Sequence, residues 1–290
     1  MAKSYLILLL CVFIWALNYI VRQILLREFS PLFLSAFSLT VISVVFLLWS
    51  VLTKSLVRLT RRELLLFFLS AGIGLVANQI FLFSGLKYSS ATNAALIFSM
   101  SPLITAGLAA VFLKETITWR MIAGCLLAIT GLFLALNIRE HFIFQFGDLL
   151  LLGGTFTFSC NLILVRMLSE RLSPLIITVY SFTISCLILD PIAMAFTTVN
   201  WSTSFYIWGL AFVSVICAQG LTGIMWNKGM NDVGAARSSI ILNLQPLMTM
   251  LLDFFIFHHT FDIQQIVGAV MVFLGVLVGS LQKGFMTNQN

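Results

Sequence analysis

The sequence predicts an all-α membrane protein with ten transmembrane helices, arranged as two inverted five-helix repeats. Three observations support this fold class: an apolar composition, regularly spaced apolar runs and an internal repetition. Of the 290 residues, 60% are hydrophobic and 9% are charged, against roughly 25% charged in soluble domains. Apolar surface on that scale is stable only against lipid. The composition excludes a soluble enzyme, a nucleic-acid-binding protein and a secreted disulfide scaffold.

A membrane-spanning helix needs about 20 mostly apolar residues, so charged residues, prolines and turn residues mark the joints between spans. The predicted spans cover residues 4–26, 31–53, 64–84, 90–113, 119–138, 147–168, 174–198, 204–228, 234–257 and 262–283. The five cysteines all lie within apolar runs, without a Cys-x-x-Cys spacing. We therefore expect buried free thiols rather than disulfides or metal ligands.

The distribution of Lys and Arg predicts how these spans are oriented. With ten alternating spans, one side receives twelve basic residues and the other side receives four. The twelve are Lys3, Lys54, Arg58, Arg61, Arg62, Lys114, Arg120, Arg166, Arg171, Lys228, Arg237 and Lys283, and the four are Arg22, Arg27, Lys87 and Arg139. Basic residues accumulate on the cytoplasmic side of membranes. Both termini are therefore predicted to be cytoplasmic, in a multi-pass protein of the bacterial inner membrane.

The chain repeats itself over nearly its whole length. Asn18 and Pro31 return 143 residues later as Asn161 and Pro174. After one inserted residue, an offset of 144 continues the match. It aligns Gly85 with Gly229, Ala91 with Ala235, Pro102 with Pro246, Leu103 with Leu247, Thr116 with Thr260, Gly124 with Gly268 and Gly131 with Gly275. The predicted domains are therefore two five-helix repeats, at residues 1–138 and 147–283.

Each repeat holds an odd number of spans, so the second copy must enter the membrane from the opposite side. An inverted pair can exchange the roles of its halves and open a central site to one side at a time. This architecture favours a secondary transporter of small organic metabolites that works by alternating access. The alternative is a duplication that only builds a stable bundle, as in a lipid-handling or accessory membrane subunit without its own solute flux.

One segment carries a family resemblance. It begins with Gly85-Leu-Lys-Tyr-Ser-Ser-Ala-Thr-Asn-Ala-Ala, includes Pro102 and ends with Phe112-Leu-Lys-Glu-Thr-Ile-Thr-Trp-Arg-Met-Ile-Ala-Gly124. This pattern resembles the signature of EamA-type carriers in the drug/metabolite transporter superfamily. The resemblance implies ten helices in two inverted units, and export or uptake of amino acids and other small metabolites. The second half departs from the pattern, because His259 stands where the first half has Glu115.

Polar side chains on the first span predict a binding surface. Trp15, Asn18, Tyr19 and Arg22 recur at i, i+3, i+4 and i+7, so they share one helix face. A polar group in hydrocarbon must face protein or a wet cavity. This face is therefore either a cavity wall or a set of interhelical hydrogen bonds. We favour the cavity for Asn18, because Asn161 is its repeat equivalent and the two amides would face each other near the midplane.

Polar and aromatic residues on other spans extend this predicted substrate site. The further positions are Asn78, Ser99, Asn161, Gln219, Trp226 and Asn243. Together with Trp15, Asn18 and Tyr19 they give an aromatic, amide-rich wall with little fixed charge. Such a wall suits a small zwitterionic or partly apolar organic solute, such as an amino acid, better than a simple ion.

The fourth and ninth predicted spans each contain a central proline, Pro102 and Pro246. Proline removes one backbone hydrogen bond inside a helix and leaves the carbonyl four residues earlier without its donor. We expect a kink in both helices. The kinks are either hinges of the transport cycle or simple packing features.

Three acidic residues near predicted span ends have alternative roles. Asp253 is a candidate proton carrier, because burial disfavours the charged carboxylate; the alternative is an ion pair with Arg22 or His258. Asp190 directly precedes Pro191 and is interpreted as a helix-end residue. Glu115 is expected to cap the fifth helix or to pair with a loop cation across the repeat interface.

Motifs for other classes of chemistry are missing from the sequence. It contains no Walker A loop, no His-Glu-x-x-His metal site and no Gly-x-Ser-x-Gly elbow, so we expect neither an enzyme nor a bound metal or cofactor. The predicted partners are a small organic solute, membrane lipids and protons as a candidate coupling ion, with no nucleic acid. A monomer and a homodimer both fit.

Overall fold

The computed structural model describes residues 2–25, 27–89, 97–135, 145–197, 201–257 and 262–280, and these are helical apart from short connections, with no strand among them. The first half contains α1 (Ala2–Leu25), α2 (Pro31–Leu52), α3 (Arg61–Leu69), π1 (Ser70–Ala77), α4 (Asn78–Lys87), α5 (Ser101–Phe112) and α6 (Trp119–Ala135). The second half contains α7 (Phe146–Leu168), α8 (Pro174–Phe196), α9 (Phe205–Val215), π2 (Ile216–Leu221), α10 (Thr222–Val233), α11 (Ala235–Ile241), α12 (Leu244–Phe257) and α13 (Ile263–Ser280).

The surface of these helices is apolar. Within the described ranges, five helical segments are long and apolar enough to cross a membrane: Leu32–Leu52, Arg61–Leu82, Phe146–Leu168, Pro174–Phe196 and Phe205–Val233. The shorter apolar helices are Lys3–Asn18, Ser101–Leu113, Trp119–Ala135 and Ile263–Gly279. Large apolar side chains point outward, including Phe205 at 91% exposure and Leu52 at 81%. A surface of this kind requires lipid, so the protein is an integral membrane protein. The total of ten spans and the orientation of the termini stay predictions.

Equivalent Ser-Pro pairs start one long helix in each half. The Ser30 hydroxyl accepts a hydrogen bond from the Phe33 N–H at 3.2 Å and begins α2. In the second half, the Ser173 hydroxyl accepts from the Ile176 N–H at 3.4 Å and begins α8. Serine at the N-cap followed by proline satisfies one free N–H and removes another. The repeat in the sequence is therefore also a repeat in local structure.

Two π-helical segments occupy equivalent positions in the two halves. π1 lies between α3 and α4, and π2 lies between α9 and α10. An offset of 144 places π2 on residues 72–77, within π1. π-turns interrupt the regular i to i−4 hydrogen bonding and often occur at functional sites. Small residues recur at these equivalent places, such as Gly74 and Ala218. They did not predict the π conformation.

The helices that contain Pro102 and Pro246 are interrupted rather than kinked. A turn at Ser99–Met100 precedes α5, and Pro102 lies in its first turn. A second turn, at Leu242–Asn243, separates α11 from α12. The Leu242 carbonyl, which lies opposite Pro246, accepts instead from the Gln245 N–H at 2.9 Å. The expected kink is corrected because each proline stands near the start of a new helix, where its missing N–H costs little.

The two halves pack with an exchange symmetry, in which the main contacts between described helices have a counterpart with the halves swapped. Equivalent helices meet in the pairs α6 with α13 and α2 with α8. The contact of α4 with α7 corresponds to that of α10 with α1, and α5 with α7 corresponds to α12 with α1. The largest core cluster accordingly combines side chains from both halves, such as Leu8 and Phe67 with Met230 and Ile240.

Glycines show the direction in which α6 and α13 meet. Gly124 lies against Gly275 and Gly279, whereas Gly131 lies against Gly268. Positions that rise along α6 therefore meet positions that fall along α13, so these equivalent helices run antiparallel. A Cβ at Gly124 would lie 2.5 Å from the Gly275 carbonyl oxygen, which shows that the two backbones touch. Small residues permit such close packing of membrane helices.

Candidate functional site

A tryptophan pair joins the two halves where α1 meets π2 and α10. The rings of Trp15 and Trp226 are 5.0 Å apart and tilted by 44°. Trp15 Nε1 donates to the Ala218 carbonyl at 2.8 Å and to the Thr222 hydroxyl at 2.9 Å. Ala218 lies in π2, where the regular helical ladder is interrupted. The π-helix thus presents an acceptor that fixes one of the two indoles.

Three buried polar atoms, on α1, on α10 and just before α12, have no hydrogen-bond partner among the described residues: Asn18 Oδ1, Trp226 Nε1 and Asn243 Nδ2. Trp226 is 4% exposed and Asn243 is 3% exposed. Asn18 follows Trp15 by three residues on the same face of α1, and Asn243 lies just before α12, which packs on α1. Native proteins pair almost all such buried groups. These unpaired atoms make this region the candidate site for a bound solute.

Two hydroxyls on α5 add to the set of unpaired polar atoms. Ser101 Oγ and Thr105 Oγ1 are buried, lie one turn apart and have no partner in the part of the chain that the structure describes. Ser99, a predicted site residue, is buried in the turn just before them and makes interactions of its own. Thr105 was missed by sequence reasoning, although its spacing of four residues from Ser101 places both on one helix face.

Two of the predicted site residues bond neighbouring helices together. Asn78 Nδ2 donates to the Gly154 carbonyl at 2.7 Å. The Ser70 hydroxyl donates to Asn161 Oδ1 at 2.6 Å, and Asn161 packs so closely on Gly74 that a Cβ there would collide with it. These contacts match the interhelical alternative. A substrate role for both amides, and the facing of Asn18 and Asn161, stay predictions.

The other predicted residues are placed less fully. Gln219 is half-buried in π2. The side chains of Tyr19, Arg22 and Asp253 lie outside the described part of the structure, as do residues 258–261 with His258 and His259. The role of Asp253 in proton coupling therefore stays a prediction. The hinge roles of Pro102 and Pro246 also stay predictions.

The interpretation of Asp190 as a helix-end residue is wrong, because α8 continues through Pro191 to Phe196. Asp190 Oδ2 accepts from the Thr40 hydroxyl of α2 at 2.7 Å.

At one end of the bundle, Glu115 bridges the two halves. Its carboxylate oxygens accept from the N–H groups of Ala235 at 3.1 Å and Ala236 at 3.2 Å, so it caps the N-terminus of α11. Arg166 Nε lies 4.0 Å from the same carboxylate, and this guanidinium also donates to Asn231. The expected contact across the repeat interface is present, but its cation, Arg166, lies in the last turn of α7 rather than in a loop. The expected cap on the fifth helix is corrected, because the helix capped is α11.

A cavity of about 270 Å³ lies beside the Glu115 contact. It is lined by Glu115, Thr116, Met121, Arg166, Asp232, Val233, Gly234 and Arg237. Gly234 has a φ of +97°, which side-chain-bearing residues rarely adopt. A Cβ at Gly234 would lie 3.3 Å from both carboxylate oxygens of Glu115. Glycine thus lets the turn between α10 and α11 approach the carboxylate closely.

A second ion pair ties α3 to the connection between α7 and α8. Arg171 Nε lies 2.5 Å from Glu63 Oε1, and its Nη2 donates to Glu63 Oε2 at 2.6 Å and to the Arg58 carbonyl at 3.1 Å. The Glu63 carboxylate also accepts from Thr60 at the start of α3. Hydrogen bonding to Glu63 raises the pKa of Arg171 above its ordinary value. The pair is partly exposed, so its role is to anchor a connection rather than to bind solute.

Within the described ranges, no group of three His, Cys, Asp or Glu side chains could hold a metal ion. All five cysteines are free, as predicted. Cys11 and Cys125 are buried, whereas Cys217 is exposed on π2, so the expectation of uniformly buried thiols is wrong for Cys217.

Comparisons with known proteins give a consistent relationship. The model of the EamA-like transporter family matches residues 2–137 and again residues 145–281. The uncharacterized transporter YyaM of Bacillus subtilis is 29% identical over 261 residues, which cover 87% of this chain and 85% of YyaM. A probable amino-acid metabolite efflux pump of Salmonella typhimurium is 25% identical over 288 residues, covering 93% and 92%. One crystal structure covers 97% of both chains with a TM-score of 0.83 at 17% identity, which shows a shared fold.

The family match occurs once in each half, in agreement with the repeat in the sequence. The relatives are named as transporters or efflux pumps rather than enzymes, in agreement with the absence of enzyme motifs. The resemblance seen in the residues from Gly85 to Gly124 is confirmed. The chain belongs to the EamA-like transporter family of the drug/metabolite transporter superfamily, and it is a membrane transporter.

Proposed function

We propose that this transporter is a secondary carrier that moves small zwitterionic or partly apolar organic solutes, such as amino acids, by alternating access. The observation that carries the proposal is the set of buried polar atoms without a described partner on Asn18, Trp226 and Asn243. They lie on α1, on α10 and just before α12, and both α10 and α12 pack on α1. The Salmonella relative named as a probable amino-acid metabolite efflux pump supports this solute class and favours export.

The chemistry of the unpaired atoms matches an amino acid. Trp226 Nε1 and Asn243 Nδ2 are donors and suit a carboxylate, whereas Asn18 Oδ1 is an acceptor and suits an ammonium group. The faces of Trp15 and Trp226 suit an apolar side chain or a cation. No Lys, Arg, Asp or Glu takes part in this described set, so a simple ion would lack the fixed countercharge that it needs.

The packing of the halves supports inverted repeats and alternating access. The equivalent helices α6 and α13 run antiparallel, and the main contacts between described helices are preserved when the halves are exchanged. Because the copies can exchange roles, the pair can adopt two asymmetric arrangements, each of which opens a central site to one side of the membrane. The bonds from Glu115 to Ala235 and Ala236 join the halves, so they must open when the halves rock. The Glu115 contact therefore acts as a gate at its end of the bundle.

The proposal includes the predicted topology: ten spans in repeats at 1–138 and 147–283, with both termini in the cytoplasm of a bacterium. The excess of Lys and Arg on one side supports this orientation. With this orientation, the Glu115 gate lies on the cytoplasmic side. The proposed location of the protein is the inner membrane, in contact with lipids. Protons are the candidate coupling ion, and a monomer and a homodimer both fit the proposal.

Flux through the purified protein in liposomes tests the function. The full chain is reconstituted and offered a panel of labelled amino acids, with and without a pH gradient. We expect saturable flux of at least one amino acid, which Asn18→Leu and Trp226→Phe reduce at least tenfold. Trp119→Phe is the matched control. Trp119 is 76% exposed and begins α6, whereas the ring pair is formed by Trp15 of α1 and Trp226 of α10.

Two results would contradict the proposal. Absence of flux for the whole panel, with transfer of labelled lipid between leaflets, would favour the lipid-handling alternative. Flux that Asn18→Leu and Trp226→Phe leave at the level of Trp119→Phe would show that solute passes elsewhere.

A further inference from the structure

The cavity beside the Glu115 contact is lined by charged groups of both signs. Of the lining residues that the structure describes, Arg166 and Arg237 carry guanidinium groups, whereas Glu115 and Asp232 carry carboxylates. Glu115 belongs to the first half of the chain and the other three belong to the second half. The formal charges of these four groups cancel. A ligand that is complementary to them therefore carries both a positive and a negative group.

This cavity is separate from the tryptophan pair. Asp232 follows Trp226 by six residues on α10, so about 9 Å along the helix axis separate the two residues. The unpaired atoms of the candidate solute site belong to the uncharged side chains of Asn18, Trp226 and Asn243, whereas the cavity has charged walls. Two polar regions thus follow one another along α10, and the charged one lies nearer the Glu115 contact.

The Arg166 guanidinium is only partly used by contacts within the described part of the chain. It donates to Asn231, and its Nε lies 4.0 Å from Glu115 Oε1, which is too long for a hydrogen bond. Arg171 differs, because its guanidinium donates to both carboxylate oxygens of Glu63, at 2.5 and 2.6 Å. Since a guanidinium has five N–H donors, Arg166 can bind a further carboxylate that enters the cavity.

The two carboxylates differ in how far protein groups already bind them. The oxygens of Glu115 accept from the N–H groups of Ala235 and Ala236. Asp232 is exposed, and its Oδ2 accepts from the Ser4 hydroxyl at 2.7 Å. A carboxylate offers about four acceptor positions on its two oxygens. Asp232 is therefore the better placed of the two to accept from an ammonium group.

The size of the cavity limits the ligand. Its volume is about 270 Å³. At about 30 Å³ for each water molecule in the liquid, this is space for about nine waters, or for a solute of about nine non-hydrogen atoms. An amino acid with a small or medium side chain has this size, whereas a nucleotide or a peptide is too large.

We propose that this cavity is a loading site for an amino acid, in which Arg166 and Arg237 bind the carboxylate and Asp232 binds the ammonium group. A guanidinium can hold a carboxylate by two parallel N–H bonds. A solute that enters from the Glu115 end meets this site before it reaches the tryptophan pair. The role in loading rests on the proposed carrier function, whereas binding of the amino acid in the cavity does not.

Protection of an introduced thiol tests this binding without any transport. Thr116 lines the cavity and is exposed, so Thr116→Cys in the full-length protein without native cysteines gives a thiol that a maleimide can reach. We expect alanine, serine or leucine to slow its alkylation in a saturable way. Leucinamide lacks the carboxylate and 4-methylpentanoate lacks the ammonium group, so each should need an at least about tenfold higher concentration than leucine for half protection.

Two matched controls accompany this measurement. Ile117→Cys places the thiol on the exposed neighbour of Thr116, which is not among the residues that line the cavity, and its alkylation should not respond to the amino acids. Arg237→Gln should raise the half-protecting concentration at least about tenfold. Arg120→Gln removes an exposed arginine of α6 outside the cavity and should leave that concentration within about twofold.

Alkylation of Thr116→Cys that none of the three amino acids slows would overturn the inference, as would equal slowing of Ile117→Cys. Protection by leucinamide or 4-methylpentanoate at the leucine concentration would show that the cavity does not recognise both charges. This comparison keeps every arginine in place, so it decides the question even where Arg237→Gln fails to fold.

The loading site and the carrier function can fail separately. Protection that disappears in Trp226→Phe would contradict a separate loading site, because the solute would then act from the tryptophan pair. Protection without flux in liposomes would defeat the carrier proposal alone. Amino-acid flux without protection would defeat the loading site alone.

Discussion

Replacing each of the two tryptophans by phenylalanine, which removes its N–H together with part of its ring, should have different effects on stability. Trp15→Phe and Trp226→Phe make the same atomic change, but Trp15 Nε1 donates to Ala218 and Thr222 whereas Trp226 Nε1 has no partner among the described residues. Each replacement loses packing worth on the order of 1 kcal/mol. Trp15→Phe also loses hydrogen bonding worth about 1 kcal/mol, so we expect a total destabilisation of about 2 kcal/mol.

Trp226→Phe instead removes an unsatisfied buried donor, which relieves about 1–3 kcal/mol. The net effect is a free energy of unfolding that is unchanged or raised by up to about 2 kcal/mol. The two variants should therefore differ by about 2–4 kcal/mol, although both lose the same atoms. Thermal unfolding of the purified proteins in detergent measures this difference.

The same Trp226→Phe variant should bind solute less well while it folds at least as well. A hydrogen bond to a charged group contributes about 1.5–3 kcal/mol, and each 1.4 kcal/mol is about tenfold in affinity. The half-saturating solute concentration for flux should thus rise roughly ten- to a hundredfold. Equal destabilisation by Trp15→Phe and Trp226→Phe would refute the reasoning, because it would show that Trp226 Nε1 is satisfied within the folded protein.

Two further predictions concern contacts between the halves. Glu115→Ala should open the gate, because it removes the two charge-assisted hydrogen bonds that Glu115 accepts from Ala235 and Ala236. In a protein without native cysteines, a thiol introduced by Met121→Cys should then be alkylated at least about tenfold faster than in the presence of Glu115. An unchanged alkylation rate would show that Glu115 does not close this end. Gly124→Ala should lower the free energy of unfolding by about 1–3 kcal/mol because its Cβ meets backbone of α13. In the control Gly107→Ala, the added Cβ has nothing within 4 Å of it, so the free energy of unfolding should rise by up to about 1 kcal/mol. Equal effects of the two substitutions in unfolding assays would contradict the close contact of Gly124 with α13.

The predicted prolines show where sequence reasoning reached the right place and missed the conformation. Pro102 and Pro246 mark irregular positions in both halves, and the structure has irregular backbone beside each. The form is a break before the proline because the Gln245 N–H can serve the Leu242 carbonyl in a tighter turn. Sequence alone does not determine which of two local hydrogen-bond patterns wins, since surrounding packing decides between them.

The asparagines show the same limit in the candidate site. Asn18 and Asn161 are equivalent in the repeat, and nothing in the sequence distinguishes their roles. In the folded chain, Asn161 accepts from Ser70 whereas Asn18 Oδ1 is left without a described partner. The repeat in the sequence identified both residues, but it could not show that Asn161 already accepts a hydrogen bond within the folded chain.

The sequence by itself determined the membrane class, the repeat and the family, because apolar run length and repeated residues are properties of the chain read in order. The tertiary structure alone decided which polar atoms are paired: Trp15 with π2, Glu115 with α11, and Asp190 with Thr40. Each of these bonds joins residues more than one hundred positions apart. Whether a polar side chain is satisfied or left to bind a solute depends on such distant neighbours, and no local pattern records them.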